Sequence, residues 1–326
     1  MVTSPKAAVI GASGIGKHHA KWYTREGCQV VAFAGSTPET LERTGRAMQD
    51  LFGFTGRGYT DVLQLLEAER PDLVSVCSPH HLHREHTVAA LEAGAAVLCE
   101  KPLVWDVTMD RSAMLAEAEE MLAAARRTGK LLAVNTQYLA VLPVLKQLYQ
   151  EQVGELERIG RLSFEMESKG GVSGPNQWDE IWIDLASHPL SLVVGWLPGC
   201  KLDESSIRCL IEQDQVTACF QVDAPQGRCQ VDIALRNVRE GTPQRRVGIN
   251  DLVADIAGRN DEQGVYRTFI SAGERQLRGD DLVHTCIRAF VRAAAGQGEP
   301  LASGEEGWKN LDFHLAIFER AQRAQG

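Results

Sequence analysis

The sequence predicts an α/β protein in which a doubly wound parallel sheet is followed by an α+β region. Up to residue 135, short and continuously apolar runs alternate with longer amphipathic segments, as is typical of a parallel sheet covered by helices on both faces. After residue 150, several segments alternate apolar with polar residues, as is typical of strands with one buried face. A chain of 326 residues is long enough for two domains, and we expect them at residues 1–135 and 136–326.

The first half contains five predicted strands separated by helices. The strands are 7–11, 28–34, 72–77, 95–99 and 131–135. The helices are 14–26, a segment that begins near 37–44, then 61–69, 82–93 and 110–128. Because crossovers between parallel strands are right-handed, a doubly wound sheet is the simplest topology for this order.

The second half is predicted to contain an antiparallel or mixed sheet. Its strands are 158–167, 206–213, 216–222 and 228–236, with more between 246 and 273. Helices at about 280–295 and 304–323 close the chain. Along 206–236 one face of the sheet alternates toward solvent, so we expect that face to need cover.

The composition is that of an ordinary globular protein, with 44% hydrophobic and 24% charged residues. The sequence contains no run of about 18 apolar residues, so we expect no membrane span. The first predicted strand starts too early in the chain to leave room for a signal peptide. A net charge of −9 without a basic cluster argues against a nucleic-acid partner. Eight cysteines without a C-x-x-C pair are typical of buried thiols in a reducing compartment. We therefore expect a cytoplasmic protein.

A glycine-rich loop, VIGASGIGKHHA, follows the first strand and opens the first helix. Gly11 permits a tight turn, Gly16 permits close contact between helix and strand, and the helix N-terminus offers N–H groups to a pyrophosphate. Ser13 stands where the dinucleotide fingerprint usually has its middle glycine. We expect a dinucleotide-binding loop made of Gly11, Ala12, Ser13, Gly14, Ile15 and Gly16; the alternative is a turn that serves packing alone.

The end of the second strand indicates which dinucleotide binds. NAD sites usually carry an acidic residue there, bonded to the ribose 2′-hydroxyl. This chain has Gly35, Ser36 and Thr37 instead. These residues carry no negative charge that would repel a 2′-phosphate, and two of them offer a hydroxyl group to it. Arg43, one turn along, could add positive charge. The pattern favours NADP over NAD.

Four histidines follow the strand at 72–77, within CSPHHLHREH (77–86). No cysteine or carboxylate arrangement completes a recognisable ligand set with them, so we expect no metal. Loops at the carboxyl ends of parallel strands line the ligand crevice. We therefore expect the following residues to border the nicotinamide half of the cofactor: Ser78, Pro79, His80 and His83.

CEKPLVWD (99–106) follows the next strand and points to the same crevice. A lysine there can hydrogen-bond a substrate oxygen and favour negative charge that develops on it. Pro102 fixes the backbone direction, and a cis bond is one way to do so. The alternative is a surface pair of Glu100 and Lys101 beside a turn.

WIDLASHPLSLVVGW (182–196) places Asp184 four residues before His188. In a helical turn these two side chains share a face, and a carboxylate that orients an imidazole suits it to general acid–base catalysis. Pro189 indicates that a helix starts nearby. The alternative is an ordinary helical pair.

Taken in order and spacing, the glycine loop, SPHHLH, CEKPL and DLASH resemble the glucose–fructose oxidoreductase/inositol dehydrogenase/rhizopine catabolism (Gfo/Idh/MocA) family. The closing stretch AFVRAAAGQGEPLASGEEGWKNLDFHLAIFERA also looks like that family. The resemblance implies an NAD(P)-binding Rossmann domain at 1–135. It also implies that 136–326 is a substrate-binding and oligomerisation domain with an open, mostly antiparallel sheet.

The resemblance further implies an oxidoreductase whose catalytic residues are Lys101, Asp184 and His188, with Glu100 and Lys101 beside the cofactor. A hydride would pass between NADP or NAD and a hydroxyl or keto carbon of a sugar, cyclitol or related polyol. Tyr138 and Trp178 are candidate substrate-binding aromatics that could stack on a sugar ring; the alternative is that they belong to the core. A homodimer or homotetramer, paired through the sheet, is also implied.

Two other functions stay open: a non-catalytic nucleotide-binding regulator of the same fold, and a dehydrogenase or reductase of a non-sugar substrate. The presence of both Lys101 and His188 favours an enzyme. His80 and Tyr138 depart from the family pattern, in which asparagine and arginine are common. The sequence indicates neither the substrate nor the physiological direction.

Overall fold

A computed structural model describes residues 4–169, 177–212 and 214–325. The chain divides into two compact units, one formed by Met1–Gln137 with Val283–Trp308 and the other by Tyr138–Leu282 with Lys309–Gly326. A segment near the C-terminus thus belongs to the first unit, whereas the sequence prediction kept 136–326 together. The division of cofactor binding and substrate binding between 1–135 and 136–326 stays a prediction.

The first unit is built on a six-stranded sheet. Its strands are β1 (Lys6–Ile10), β2 (Gln29–Ala34), β3 (Arg57–Tyr59), β4 (Leu73–Val76), β5 (Ala96–Glu100) and β6 (Leu132–Asn135). All pairs are parallel, in the order β3-β2-β1-β4-β5-β6, which confirms the doubly wound topology. The order reverses between β1 and β4, so the ligand crevice of such a sheet lies beyond their carboxyl ends. The sequence analysis did not predict β3, because three residues carry no periodic signal.

Helices alternate with these strands along the chain. They are α1 (Lys17–Arg25), α2 (Pro38–Phe52), α3 (Val62–Glu69), α4 (His83–Glu92) and α5 (Arg111–Thr128). The side chains of Thr37, Asp61 and Asp110 cap α2, α3 and α5 by accepting hydrogen bonds from backbone N–H groups in the first turn. Such local capping explains why the predicted helix starts were close to the observed ones.

The second unit is built on an eight-stranded sheet. Its strands are β7 (Arg161–Lys169), β8 (Lys201–Glu212), β9 (Gln215–Ala224), β10 (Gly227–Val238), β11 (Arg245–Ile249), β12 (Leu252–Asn260), β13 (Tyr266–Ala272) and β14 (Arg275–Gly279). The order is β14-β13-β12-β11-β7-β10-β9-β8, and every pair is antiparallel except β7 with β10. This confirms a mostly antiparallel sheet. Gln213, the last residue of the predicted strand 206–213, lies outside the described residues.

Helices pack on one face of this sheet. Those of the second unit are α6 (Leu142–Gln152), α7 (Gln177–Leu185) and α8 (Ser187–Trp196), and the chain closes with α9 (Leu282–Ala294) and α10 (Gly304–Gln325). Helix α7 packs on β7, β9 and β10, and α6 packs on β12 and β13. The closing helices confirm the prediction. The sequence analysis did not predict α6, although Leu145, Leu148 and Tyr149 recur at helical spacing and are buried.

All eight cysteines are free thiols, five of them buried and three half-buried. Burial raises the pKa of Cys77, at the end of β4, well above its ordinary value. Such thiols stay neutral at physiological pH and behave as small apolar side chains. Among the described residues, no helix is both long and apolar enough to cross a bilayer.

Candidate active site

The glycine loop joins β1 to α1 at the point where the strand order reverses. Gly11 has a φ of 86°, and a Cβ added there would lie 2.4 Å from the carbonyl oxygen of Cys77. A Cβ on Gly16 would lie 2.6 Å from the carbonyl oxygen of Gly11. The backbone geometry therefore requires both glycines. Between them, residues 13–15 are exposed and leave their peptide groups open to a ligand in front of α1.

The turn after β2 carries the two predicted hydroxyl residues on the surface. Gly35 donates its N–H to the carbonyl oxygen of Tyr59 at 2.9 Å. Ser36 and Thr37 are exposed, and Thr37 Oγ1 accepts the Thr40 N–H at 3.2 Å as the cap of α2. The Thr37 hydroxyl is therefore shared with the helix, whereas Ser36 presents its hydroxyl on the surface beside the turn.

The loop after β4 is tied to the loop after β5 by His83. The His83 ring is fully buried, with Nε2 at 2.9 Å from the carbonyl oxygen of Ser78 and Nδ1 at 3.0 Å from that of Pro102. Burial lowers the pKa of His83, while its carbonyl partners act in the opposite direction. His86 Nδ1 lies 2.9 Å from Ser78 Oγ. These two histidines therefore position the loops.

At the end of β5, the carboxylate of Glu100 is turned inward and is 8% exposed. His19 Nε2 lies 3.0 Å from its Oε1, the amide of Asn135 donates to the same oxygen, and the Lys101 N–H donates to Oε2 at 3.3 Å. Burial by itself raises the pKa of Glu100, but the hydrogen bond and proximity of His19, followed by Asn135 and Lys101, lower it to about 2. Glu100 is therefore an ionised, buried group.

A chain of hydrogen bonds extends from Glu100 across the sheet. His19 Nδ1 lies 3.0 Å from Ser75 Oγ, which lies 2.8 Å from Tyr23 Oη. The side chains of Tyr23, Ser75 and His19 are fully buried. Where Nε2–H donates to Glu100, Nδ1 can accept the Ser75 hydroxyl, and Ser75 Oγ can accept the Tyr23 hydroxyl. We call these four residues the Glu100 network.

His19, Cys77 and Glu100 also place three potential metal ligands within 4.8 Å of one another. Glu100 faces Nε2 of the imidazole, whereas Cys77 Sγ lies 3.7 Å from Nδ1. One imidazole binds a given ion through one nitrogen, so the two other ligands would have to converge on the same side of the ring. The geometry fits a hydrogen-bond network rather than a metal centre.

Lys101 follows directly on β5 and is half-buried. The peptide bond between Lys101 and Pro102 is cis, one of the two forms that the sequence analysis allowed. The backbone N–H of Lys101 is held by the Glu100 carboxylate. The lysine thus starts from a backbone that is fixed on one side by the Glu100 network and on the other by the contact of His83 with Pro102.

In the second unit, Asp184 and His188 lie at the junction of α7 and α8. Ala186 between the helices keeps helical angles, with φ −64° and ψ −30°, so the four-residue spacing still places both side chains on one side. Helix α8 starts at Ser187, which puts His188 and Pro189 in its first turn as the sequence indicated. Asp184 is exposed, and His188 is 6% exposed.

The first turn of α8 is anchored to α10 by side chains that the sequence analysis missed. Asn310 Nδ2 donates to the carbonyl oxygen of Ser187 at 2.8 Å, and Ser187 Oγ lies 3.2 Å from Nδ1 of the fully buried His314. Ser191 Oγ donates to the carbonyl oxygen of His188 at 2.7 Å. His188 is therefore held through the backbone on both sides. No local motif marks Asn310 or His314.

The two predicted substrate-binding aromatics lie in different surroundings. The Tyr138 ring centroid is 4.8 Å from that of His188, and Tyr138 is 6% exposed. Burial raises the pKa of Tyr138 to about 12, so its phenol stays protonated at neutral pH. Trp178 is 7% exposed, and its ring lies 5.3 Å from that of Phe318 in α10. The structure thus brings Tyr138, but not Trp178, into contact with His188.

Comparisons with known proteins agree with this architecture. Residues 6–136 match the model of the Gfo/Idh/MocA family, described as an oxidoreductase family with an NAD-binding Rossmann fold. D-glucoside 3-dehydrogenase of Escherichia coli (strain K12) is 38% identical over 157 residues, which cover 47% of this chain and 40% of that enzyme. The aligned segment therefore spans less than half of either protein.

Two further proteins are similar over nearly the whole chain. 1,5-Anhydro-D-fructose reductase of Ensifer adhaerens is 26% identical over 350 residues, which cover 97% of this chain and 96% of that enzyme. An inositol dehydrogenase homolog from Azotobacter vinelandii, solved as a complex with NAD+, has a TM-score of 0.72 at 18% identity, covering 99% of this chain and 96% of its own. It shares the fold of both units. Residues 6–136 therefore match the NAD-binding Rossmann domain of the Gfo/Idh/MocA oxidoreductase family, and the whole chain is similar to an oxidoreductase of known activity and to a solved structure of the same fold.

Proposed function

We propose that this protein is an NAD(P)-dependent dehydrogenase or reductase acting on a hydroxyl or keto carbon of a sugar, cyclitol or related polyol. The observation that carries the proposal is the junction of α7 and α8, where Asp184 and a buried His188 share one side of a fixed helical turn. An imidazole beside a carboxylate is suited to general acid–base work at neutral pH. The names of the similar proteins, which are sugar and cyclitol oxidoreductases, support the substrate class.

The first unit fits a dinucleotide. A Cβ at Gly14 would meet no atom within 4 Å, and residues 13–15 are exposed in front of α1, so a pyrophosphate has room at the helix N-terminus. We propose that the cofactor is held by the loop 11–16, the turn 35–37, and the loop residues Ser78, Pro79, His80 and His83 with the end of β5 at Glu100 and Lys101. The cofactor, when bound, supplies the hydride acceptor or donor.

We propose a preference for NADP over NAD. Residues 34–37, where β2 ends, carry no carboxylate, and Ser36, Thr37 and Arg43 are exposed. A 2′-phosphate would be accepted there by hydroxyl donors and by the guanidinium. Replacing Arg43 with Met should weaken NADPH binding about 10-fold and leave NADH binding unchanged. Fluorescence titration with both dinucleotides measures the ratio, and equal losses for both would contradict the preference.

In the proposed mechanism, three side chains handle the substrate oxygen and its proton. His188 removes the proton from the substrate hydroxyl in the oxidative direction, and Asp184 orients the imidazole and stabilises its charged form. The Lys101 ammonium donates a hydrogen bond to the reacting oxygen, where negative charge develops. Tyr138 lies beside His188, with ring centroids 4.8 Å apart. Trp178 stays a candidate for the substrate, although its contact with Phe318 favours a packing role.

The test is a fluorescence titration with NADPH and NADH, followed by a hydride-transfer screen over sugars, cyclitols and their keto forms. Replacing Lys101 with Met should lower kcat by about 10²- to 10⁴-fold, a larger effect than its loss of cofactor affinity. Turnover at the wild-type rate in this variant would overturn the assignment of Lys101. Cofactor binding without turnover on any polyol would instead favour the regulator or the non-sugar substrate that the sequence leaves open.

We also propose that the protein forms a homodimer or homotetramer through the sheet of the second unit. The face away from the helices carries polar side chains at alternate positions of β9 and β10, and a second copy would cover it. Sedimentation equilibrium gives the mass directly. A species of one-chain mass at all concentrations would rule this assembly out.

A further inference from the structure

An arginine stands on the helix-covered face of the eight-stranded sheet, among apolar residues of the neighbouring strands β7 and β10. Arg245, the first residue of β11, is paired with Met166 of β7, which is paired with Leu235 of β10. Paired residues of neighbouring strands point to the same face. Met166 and Leu235 are at most 1% exposed. Arg245 therefore points to the face that the helices cover, and it is half-buried there.

The strip of sheet that carries Arg245 lies between two helices. Helix α7 packs on β7, β9 and β10, whereas α6 packs on β12 and β13, and β11 lies between β12 and β7. Tyr138 stands in the turn that leads into α6, and Asp184 stands in the last turn of α7. The positive charge of Arg245 acts on the Tyr138 phenol and lowers its pKa, against burial, which raises it. Arg245 thus lies within electrostatic range of the ring that packs on His188.

The neighbouring arginine, Arg246, forms ordinary ion pairs with carboxylates. Arg246 points to the opposite face, where its Nε lies 3.0 Å from Asp255 and its Nη1 lies 3.3 Å from Glu165. Arg245, by contrast, forms no ion pair or hydrogen bond with any residue that the structure describes. The undescribed segment 170–176 reads GGVSGPN and contains no acidic residue. Arg245 is half-buried, and a ligand that supplies an anion would accept charge-assisted hydrogen bonds from its guanidinium.

We propose that Arg245 binds an anionic group of the substrate, a carboxylate or a phosphate attached to the polyol, and so determines its specificity. The proposal rests on the proposed function and names the substrate class of the same site. A guanidinium presents two parallel N–H donors that match a carboxylate or phosphate edge. The Tyr138 phenol, on which the charge of Arg245 acts, stays protonated and is a hydrogen-bond donor.

The test compares matched substrates and matched variants. The substrates are glucose, glucuronate and glucose 6-phosphate, together with inositol and inositol phosphate, each assayed for hydride transfer with NADPH or NADP. The variants are Arg245→Met, Arg245→Lys and the control Arg246→Met. We expect the wild-type enzyme to prefer one anionic substrate over its neutral counterpart. Arg245→Met should lower this ratio of kcat/KM by about 10- to 100-fold, Arg245→Lys should restore part of it, and Arg246→Met should leave it unchanged.

Folding of the variant and binding of the anion are measured without turnover. Arg245→Met places an apolar side chain of similar length on an apolar face, so its melting temperature should equal or exceed that of the wild type. Glucuronate or glucose 6-phosphate should raise the melting temperature of the wild type and of Arg246→Met but not of Arg245→Met. The carboxylate and the phosphate are distinguished by which of the two compounds has the effect.

The outcomes separate the inference from the proposed function. A wild-type enzyme that turns over neutral polyols as well as anionic ones, or an Arg245→Met variant with an unchanged ratio, overturns the anion site and leaves the oxidoreductase intact. If no polyol is turned over, the proposed function fails. The anion site is then tested only by the rise in melting temperature that glucuronate or glucose 6-phosphate causes. A rise that persists in Arg245→Met overturns the anion site.

Discussion

Replacing His19 with Leu should destabilise the first unit by removing a donor from a buried carboxylate. In the folded protein the pKa of Glu100 falls from its ordinary value of 4.5 to about 2, which corresponds to about 3 kcal/mol of stability from this group at neutral pH. His19 is the largest contributor to that fall. We therefore expect Leu at position 19 to cost about 2–3 kcal/mol at pH 7.

The pH dependence of this loss has a definite sign. In the wild type the pKa of Glu100 is depressed, so its contribution is complete above about pH 4.5 and is lost as the pH falls toward 2. In the variant, burial dominates and raises the pKa of Glu100 above its ordinary value. The variant then gains stability as the pH falls through that raised pKa, and the gap between the two proteins narrows between pH 7 and pH 5.

The assay is urea unfolding at pH 5, 6, 7 and 8, combined with a double-mutant cycle in Glu100→Gln. Tyr23 and Ser75 of the Glu100 network and the adjoining Asn135 and Lys101 are unchanged in every arm. The same holds for the thiols on which the Glu100 charge acts, Cys77, Cys99 and Cys286. The cost of His19→Leu should fall by at least half in the Glu100→Gln background. A gap that is constant with pH, or an equal cost in both backgrounds, would refute the reasoning.

Two further predictions concern the backbone of the site. Gly11→Ala places a Cβ 2.4 Å from the Cys77 carbonyl oxygen at a φ of 86°, so calorimetry should show dinucleotide binding weakened by about 100-fold or more; near wild-type affinity would mean that the loop adapts. Asn310→Leu removes the hydrogen bond to the Ser187 carbonyl oxygen, so kcat should fall about 10-fold while cofactor affinity stays the same. An unchanged kcat in that variant would show that His188 does not depend on this anchor.

The parts of the fold and site that could be predicted are those with a local signal. A polar residue at the end of an apolar run marks the carboxyl end of a parallel strand, and Glu100 was found in this way. Asn135, which ends β6 and donates to Glu100, carries the same signal and was overlooked. Gly11 and Gly16 were predicted because their spacing reflects steric requirements within one turn.

The remaining residues depend on contacts between distant parts of the chain. His19 lies 81 positions before Glu100, and Asn310 lies 123 positions after Ser187, so no periodicity connects them. Residues 283–308 belong to the first unit although they follow the whole second sheet in sequence. The order of elements along the sequence gives no sign that a late helix belongs to the N-terminal unit. Arg245 gave no signal because its burial depends on which face of β11 it occupies.

The face of β11 on which Arg245 lies affects how the sequences of related proteins should be aligned. Successive residues of a strand point to opposite faces, so a shift of β11 by one residue against β7 would turn Arg246 toward the helices and Arg245, Val247 and Ile249 away from them. Which arginine faces the helices is then determined by whether its position is odd or even along the strand, and not by the number of arginines. An alignment that places one gap wrongly in 245–249 would match arginine with arginine and still assign substrate preference to the wrong side chain. Insertions or deletions in 239–244, outside the paired residues, do not change which arginine faces the helices.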